Sequence, residues 1–324
     1  MFHWCFIGTG ALANIVAKQL LKSGRHDIVS CYSRNEGKRN AFATKYHCKA
    51  YADPVIAMND EGVDAVYVVT PHNVHFDFAS IALRNKKPVL VEKPFTVTIA
   101  EAKTLLQLAK ENDTFMAEAM WTWYSGASLM VKKWIDEGKI GKIQSVIFNY
   151  HFRAIGIGSR LFDPKRAGGA MLDIGVYPIA YMYHLFGMPE KVECHDVVWK
   201  NGVDLKDDIS FSYDDGKKIN ISVSIKDFHH GEKMKIIGGE GEIIVPSFHH
   251  ANSAKIKRNG KSENYRVSPD RYISYIPEFD AVMNCVMEGK KESPFVSYQD
   301  TLSVMTLVDR TLKKMGLVYP SLEK

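Results

Sequence analysis

The first 120 residues alternate short apolar runs with amphipathic segments of helical length. The segments at 11–24 and 100–112 carry apolar side chains at helical spacing, and the first of them closes on Gly24, a favourable helix stop. Strand and helix in alternation predict an α/β fold, an N-terminal Rossmann domain with a doubly wound parallel sheet covered on both faces. The apolar runs are rich in Val, Ile or aromatic residues, and they read HWCFIG, HDIVSCYS, DAVYVVT, KPVLVEK and TFMAEAM.

The rhythm changes after about residue 121. A helical stretch at 128–141 leads into IQSVIFNYHF, and a Gly-rich helix is predicted at 168–187. Consecutive extended runs follow from residue 191, namely KVECHDVVWK, DISFSY, KKINISVSIKD, KMKIIGG and GEIIVP. Asp215-Gly216 and Asn259-Gly260 lie between extended runs, as hairpin turns require. The pattern predicts one domain at 1–121 and a C-terminal α+β domain at 122–324 with a large, mostly antiparallel open sheet. A final helix at about 299–316 can pack back on the first domain.

Composition and charge narrow the class of protein. The 324 residues are 46% hydrophobic and 24% charged, which excludes a disordered, collagen-like or coiled-coil chain. No apolar run approaches the roughly 18 residues of a membrane span, so we expect no membrane partner. The net charge of +5 is spread along the chain, whereas nucleic-acid binders cluster their cations, so we expect no nucleic-acid partner. Five scattered cysteines without a CxxC pair, and an N-terminus that enters a strand pattern at once, predict a reducing cytoplasm.

A glycine-rich turn joins the first predicted strand to the first predicted helix. Its residues are Gly8, Thr9, Gly10, Ala11, Leu12 and Ala13, the G-x-G-x-x-A form of the dinucleotide fingerprint. Gly8 permits a tight turn, and Gly10 lets the backbone approach a pyrophosphate. The motif alone is also compatible with a plain glycine turn. Its position at the first strand–helix junction indicates a dinucleotide site.

The end of the second predicted strand bears on which dinucleotide binds. An acidic residue about 20 residues past the glycines would bind the ribose of NAD. The chain instead reads Ser33-Arg34-Asn35, with Lys38 and Arg39 shortly after. Arg34 can pair with a 2′-phosphate or lie over the adenine, and Ser33 can donate a hydrogen bond; a solvated basic loop is the alternative. The pattern predicts NADP(H) as the cofactor.

Three further segments carry a resemblance to a known family. They are Thr70-Pro71-His72-Asn73-Val74-His75, Glu92-Lys93-Pro94, and the run GGAMLDIGVY at 168–177. In order and spacing they resemble the glucose-fructose oxidoreductase / inositol dehydrogenase (Gfo/Idh/MocA) family over nearly the whole chain. Residues 118–122 and 160–164 are similar to the branch of dimeric dihydrodiol dehydrogenases and NADP-dependent D-xylose dehydrogenases. The resemblance implies a homodimer or higher homo-oligomer through the C-terminal sheet. It also implies cofactor contacts at Thr70, Pro71, His72, Asn73, His75, Glu92 and Lys93.

Residue chemistry independently indicates alcohol oxidation, which needs a group that takes the hydroxyl proton. Lys93 follows a buried strand at its carboxyl end, where open α/β sheets place ligands, and the following proline fixes its direction. Asp173 and Tyr177 are four residues apart and share one face of a helix. In much of the resembled family the position of Tyr177 holds His, whereas the dihydrodiol and xylose dehydrogenase branch has Tyr there. We hypothesise that Tyr177 is the acid/base, Lys93 its electrostatic partner and substrate orienter, and Asp173 a substrate or lysine contact.

The remaining candidates have competing explanations. Trp121, Arg153 and Arg160 are candidate substrate contacts, although core packing and loop capping explain them equally well. The pairs His229-His230 and His249-His250 suggest a metal. Because adjacent residues on a strand point to opposite faces, each pair is poorly arranged to chelate, and no metal site is predicted.

The sequence therefore predicts an NADP-dependent oxidoreductase that transfers hydride between nicotinamide and a sugar or cyclic vicinal diol. Two alternatives belong to other classes. One is a non-catalytic dinucleotide-binding regulatory protein, which the presence of Lys93, Asp173 and Tyr177 disfavours. The other is an NAD-dependent lyase or glycosidase with an internal redox cycle, which favours an acidic residue after the second strand.

Overall fold

The structure, a computed structural model, describes residues 1–154, 159–268 and 275–319. It divides into two compact units. The first comprises the described residues of 1–121 and 274–302, and the second those of 122–273 and 303–324. The segment 274–302, which the sequence pattern places in the second domain, thus groups with the first unit.

The helices and strands are as follows in chain order. The helices are α1 (Ala11–Ser23), α2 (Glu36–Tyr46), α3 (Pro54–Met58), α4 (His75–Arg84), α5 (Ile99–Glu111), α6 (Gly126–Asp136), α7 (Val176–Phe186), α8 (Ile276–Met287) and α9 (Tyr298–Met315). The strands of the first unit are β1 (Phe2–Ile7), β2 (His26–Tyr32), β3 (Lys49–Tyr51), β4 (Ala65–Val68), β5 (Val89–Glu92) and β6 (Met116–Ala119). Those of the second unit are β7 (Ile143–Arg153), β8 (Lys191–Lys200), β9 (Val203–Ser212), β10 (Lys218–Ser224), β11 (Lys226–Gly238), β12 (Gly241–Pro246), β13 (Ser253–Arg258) and β14 (Lys261–Arg266).

The sheet of the first unit has the order β3-β2-β1-β4-β5-β6, and each pairing is parallel. Every residue of β4 and β5 is buried, as the short apolar runs of a sheet covered on both faces require. Helix α1 ends at Gly24, whose φ of 69° lets its N–H reach the carbonyl of Leu21. The strand order reverses between β1 and β4, and open sheets of this kind bind ligands at that point. The predicted Rossmann architecture is confirmed.

The sheet of the second unit has the order β14-β13-β12-β11-β7-β10-β9-β8. Its pairings are antiparallel except for the one between β7 and β10. Val146 and Phe148 of β7 are fully buried and form part of its core. Asn259 and Gly260 have φ of 50° and 70° and join β13 to β14 as a two-residue hairpin turn. The prediction of a large, mostly antiparallel sheet is confirmed.

Two further observations concern the cysteines and the character of the helices. All five cysteines are free thiols. Among the helices within the described ranges, none combines the length and the apolar character that crossing a bilayer demands.

Candidate active site

Four predicted segments meet at one edge of the parallel sheet. They follow the carboxyl ends of β1, β2, β4 and β5, which are neighbours in the strand order. Parallel strands end at the same edge of a sheet, so the loops after them form one surface. The fingerprint glycines, Ser33, Thr70 and Lys93 therefore all belong to this edge.

The glycine turn after β1 separates two roles. Gly8 has φ of 115°, and a Cβ there would overlap the carbonyl oxygen of Val69, so the turn itself requires glycine. Gly10 has φ of −75° and is the N-cap of α1. A Cβ on Gly10 would meet no atom of the described residues within 4 Å, and no side chain among them caps the helix. The first turn, at Ala11 and Leu12, thus directs its amides and the positive end of the helix dipole at open space, as a pyrophosphate requires.

Two buried hydroxyls, one from Thr9 and one from Thr70, lie at this edge of the sheet. Thr9 Oγ1 follows β1 and Thr70 Oγ1 follows β4, and neither has a hydrogen-bond partner among the residues the structure describes. Buried hydroxyl groups are nearly always satisfied in folded proteins. A nucleotide lying on the edge between β1 and β4 would supply the missing partners, so the residues present fit a dinucleotide.

The loop after β2 presents two cations. Arg34 and Lys38 are exposed, and Ser33 is half-buried. Asn35 caps α2 by accepting a hydrogen bond from the Lys38 backbone N–H. Arg39, in contrast, is buried and donates from Nη1 to the Ser33 carbonyl over 2.8 Å. Arg39 therefore supports the loop, a role that the sequence analysis did not assign, while Arg34 and Lys38 remain accessible to an anionic ligand.

Buried histidine His75 connects the loops after β4 and β5. Its ring nitrogens lie 2.9 Å from the Thr70 carbonyl oxygen and 2.9 Å from the Pro94 carbonyl oxygen. The ring of His72 packs edge-to-face on His75, with ring centroids 5.8 Å apart. His72, Asn73 and Val74 form a 3-10 turn that Pro71 precedes. His75 thus fixes the segment that carries Lys93.

Lys93 is 92% buried at the end of β5, and the bond to Pro94 is cis. The carboxylate of the preceding residue, Glu92, is buried and accepts hydrogen bonds from the Tyr67 hydroxyl over 2.6 Å and from the Lys93 backbone N–H over 3.2 Å. Burial raises the pKa of Glu92 above its ordinary value. Glu278, also buried in this unit, has its pKa raised by burial and by the charge of Glu92. Glu92 therefore holds the Lys93 backbone from the side of the core.

In the second unit, Asp173 and Tyr177 begin a helical segment that is not α-helical throughout. Residues Met171–Gly175 form a π-helical turn, and α7 starts only at Val176. The expectation of one continuous helix with α spacing is therefore wrong at Asp173, since a π turn is wider than an α turn. Asp173 and Tyr177 are each 8% exposed. Arg160 donates from Nη2 to Asp173 Oδ1 over 2.9 Å, so this candidate substrate contact holds the carboxylate in place.

The two glycines before this turn are required by close packing inside the second unit. A Cβ on Gly168 would overlap the carbonyl oxygens of Arg160 and Leu161. Gly169 has φ of 104°, and a Cβ there would overlap the carboxylate of Asp204. That carboxylate is buried and accepts a hydrogen bond from the Met171 backbone N–H over 2.5 Å. The glycine pair and Asp204 together fix the start of the segment that bears Asp173 and Tyr177.

The rings of Tyr150 and His249, which are distant in sequence, lie beside Tyr177 and belong to a larger polar group. The ring centroid of Tyr177 lies 5.4 Å from that of His249 and 6.5 Å from that of Tyr150. Tyr150 Oη lies 3.2 Å from His249 Nε2, and Glu232 Oε2 lies 2.7 Å from His249 Nδ1. Burial, with the neighbouring His249, lowers the pKa of His250. Sequence reasoning missed this group because its members come from β7, β11 and the turn after β12.

No metal site is predicted from the sequence because each histidine pair is expected to lie on a strand, and this expectation is wrong for His249 and His250. His249 and His250 lie on a 3-10 turn, Phe248–His250, and not on a strand. Their Nδ1 atoms are 3.0 Å apart and both approach Glu232, so they converge. The side chains of His229 and His230 lie outside the described residues.

The remaining candidates are placed as follows. Trp121 is 4% exposed, and its ring packs on Tyr275 with centroids 4.7 Å apart. Arg153 is exposed at the end of β7. Burial of Trp121 within the first unit is what a core-packing role requires.

Comparison with known proteins identifies relatives along the whole chain. Residues 2–119 match the family described as "Oxidoreductase family, NAD-binding Rossmann fold", and residues 128–244 match the GFO/IDH/MocA C-terminal domain. D-xylose 1-dehydrogenase (NADP(+)) of Hypocrea jecorina is 30% identical over 98% of this chain and 93% of its own length. Trans-1,2-dihydrobenzene-1,2-diol dehydrogenase of Danio rerio is 26% identical over 98% of each chain. The crystal structure of aldose-aldose oxidoreductase from Caulobacter crescentus has a TM-score of 0.87, at 18% identity over 97% of each chain, and shows the same fold.

Proposed function

The chain belongs to the Gfo/Idh/MocA oxidoreductase family, and from that premise we propose that it is an NADP(H)-dependent oxidoreductase acting on the CH–OH group of a sugar or cyclic vicinal diol. One observation carries the cofactor assignment. No described side chain caps the start of α1, and a Cβ on Gly10 would meet no described atom within 4 Å. This start follows β1, and the loop with two exposed cations, Arg34 and Lys38, follows the neighbouring strand β2. Relatives named for D-xylose and for a dihydrodiol support the substrate class.

The nucleotide-binding residues divide by the part of NADP(H) that they recognise. The turn from Gly8 to Leu12 holds the pyrophosphate with backbone N–H groups and the helix dipole. Ser33, Arg34 and Lys38 bind the 2′-phosphate through charge-assisted hydrogen bonds. The buried Thr9 and Thr70 hydroxyls donate to ligand oxygens. The loops after β4 and β5, fixed by His75, bind the nicotinamide half.

Proton transfer is the task of the second unit. When bound, NADP(H) supplies the hydride acceptor or donor. The Tyr177 phenolic oxygen takes the hydroxyl proton during oxidation and returns it during reduction. Lys93 is proposed as the electrostatic partner of Tyr177 and orients the substrate hydroxyl. Asp173, held by Arg160 over 2.9 Å, accepts a hydrogen bond from a neighbouring substrate hydroxyl. Trp121 and Arg153 are candidate contacts for the rest of the substrate.

Cofactor preference is tested first by fluorescence titration of ligand-free protein with NADPH and NADH. We expect tight NADPH and weak NADH binding. Arg34→Ala removes a charge-assisted contact to the 2′-phosphate, worth about 1.5 kcal/mol, so the Kd of NADPH rises by about tenfold and that of NADH is unchanged. Lys22→Ala, at the exposed far end of α1, is the matched control and leaves both constants unchanged.

NADH binding as tight as NADPH would overturn the assignment to Arg34 and favour a lyase or glycosidase with an internal redox cycle. Binding of NADPH without turnover of any pentose, hexose or cyclic diol would favour a regulatory role. Hydride transfer from a sugar or diol to NADP⁺ supports the proposed enzyme.

We also propose that the protein forms a homodimer through the second sheet and that it is located in the cytoplasm. Ile147 and Trp199, on β7 and β8, are 36% and 41% exposed on the second sheet, where a partner chain would cover them. We expect light scattering to give twice the 36.6 kDa of one chain. A mass equal to one chain at working concentration would exclude the homodimer. Five free thiols suit the reducing cytoplasm proposed for this enzyme.

A further inference from the structure

One carboxylate oxygen and two imidazole nitrogens converge in the second unit. We define the EHH cluster as Glu232, His249 and His250. Glu232 Oε2 lies 2.7 Å from His249 Nδ1 and 3.6 Å from His250 Nδ1, and the two nitrogens are 3.0 Å apart. The side chains are 10%, 18% and 24% exposed. Three donor atoms of the types that bind transition metals thus face one another in a half-buried position.

From this convergence we propose that the EHH cluster binds one divalent transition-metal ion, with Zn²⁺ as its best-fitting occupant. In zinc sites, nitrogen and oxygen donors lie about 2.0–2.2 Å from the ion. The triangle of donor atoms has sides of 2.7, 3.0 and 3.6 Å. It is small enough for one ion above its plane to lie about 2.1 Å from all three atoms. Carboxylate and imidazole donors favour zinc and its neighbours over magnesium or calcium.

Hydrogen bonds alone do not account for all the short distances in the EHH cluster. His249 Nδ1 faces both Glu232 Oε2 and His250 Nδ1. A single N–H on His249 can point well at only one of them, whereas a cation accepts an electron pair from all three atoms at once. The other carboxylate oxygen, Oε1, accepts a hydrogen bond from the His249 backbone N–H over 2.5 Å. Glu232 is therefore held with Oε2 directed at the two imidazoles.

The surroundings of the cluster include the support that metal-binding histidines use. A ligating imidazole almost always donates its second N–H to a fixed partner. His249 Nε2 lies 3.2 Å from Tyr150 Oη, and the two rings stack with centroids 4.7 Å apart. Tyr150 is the cross-strand partner of Glu232 between β7 and β11, so one strand pair positions both. The site is thus built on the sheet and not on a loop alone.

Three protein ligands leave open positions on the ion, as in catalytic zinc sites with two histidines and one glutamate. Water or a ligand oxygen would fill them. Because the His249 ring lies 5.4 Å from that of Tyr177, an oxygen-rich molecule bound beside Tyr177 is a candidate for these positions. Metal binding itself does not depend on the proposed redox activity.

Equilibrium dialysis of tag-free, chelator-treated full-length protein against micromolar Zn²⁺ tests the proposal. We expect one zinc per chain and an increase in Tm, because an ion that binds only the folded state stabilises it. Glu232→Gln and His250→Ala are expected to lose this equivalent. His195→Gln is the matched control, because His195 belongs to the same unit and pairs with Ser210 over 2.7 Å. The control variant keeps the zinc.

X-ray absorption at the zinc edge of the unmodified protein gives an answer that does not depend on a variant folding. The EHH cluster predicts a shell of nitrogen and oxygen only, at about 2.0–2.2 Å. Sulfur neighbours at about 2.3 Å would place the ion on cysteine thiols and overturn the proposal. Absence of bound zinc, or full binding by both cluster variants, would also overturn it and leave Glu232, His249 and Tyr150 as a hydrogen-bonded chain.

Discussion

Tyr177→Phe is expected to lower kcat by about 10²- to 10⁴-fold, the usual contribution of a positioned acid/base. Removal of the hydroxyl leaves the ring in place, so the packing of a side chain that is only 8% exposed is preserved. The Kd of NADPH is expected to change by less than about twofold, because the nucleotide is proposed to bind the first unit. Steady-state kinetics and fluorescence titration measure the two quantities separately.

Tyr181→Phe is the matched control for this substitution. Tyr181 lies one turn later in α7, is 1% exposed, and burial raises the pKa of its hydroxyl. Loss of this hydroxyl is expected to leave kcat within about twofold of the unmodified enzyme, since it takes no part in proton transfer. Turnover retained by Tyr177→Phe would refute the acid/base role. Equal losses in both variants would indicate a structural effect of α7.

Gly10→Ala is expected to raise the Kd of NADPH by about 30- to 100-fold while leaving the free energy of unfolding within about 0.5 kcal/mol. Space around Gly10 is open, and its φ of −75° suits any residue. The added methyl group would therefore occupy the position proposed for the pyrophosphate without disturbing the fold. Nucleotide titration and thermal unfolding without ligand measure these effects.

Gly8→Ala provides the contrast. Gly8 has φ of 115°, and an added Cβ would overlap the Val69 carbonyl. The variant is therefore expected to lose at least about 1–3 kcal/mol of free energy of unfolding in the absence of nucleotide. If Gly10→Ala bound NADPH as tightly as the unmodified protein, the pyrophosphate would not lie over α1. Equal destabilisation by both variants would contradict the separation of a folding glycine from a binding glycine.

Local sequence patterns predicted the parts of the site that one segment forms by itself. The turn at Gly8 and Gly10 and the loop at Arg34 follow from strand ends and residue types, because parallel strands bring their carboxyl ends to one edge. The hairpin at Asn259-Gly260 follows from the positive φ that both residues tolerate.

Features formed by segments that are distant in sequence could not be predicted from local sequence patterns. Convergence of Glu232, His249 and Tyr150 depends on the β7–β11 pairing and on a short turn after β12. The π turn at Asp173 begins at Met171, whose N–H donates to Asp204 of β9, a residue distant in sequence. Helix α8 has a buried face that includes Phe279 and Val282, and such a face looks the same in sequence whichever unit it packs on. Its grouping with the first unit is a tertiary property.

Among the described strands of the second sheet, one pairing is parallel, that of β7 with β10, and it makes β7 the strand that joins two separate antiparallel halves. The strands β8, β9 and β10 form one antiparallel meander, and β11 to β14 form another. Ser145 pairs with Lys218 of the first meander and with Ile237 of the second. During synthesis β7 emerges well before its partner strands β10 and β11. Both edges of β7 therefore stay unpaired until strands distant in sequence have been made. The late joining of the meanders on β7 is therefore expected to limit the folding rate of this unit. Until the meanders join, apolar side chains of β7, Val146 and Phe148 among them, are exposed and favour aggregation.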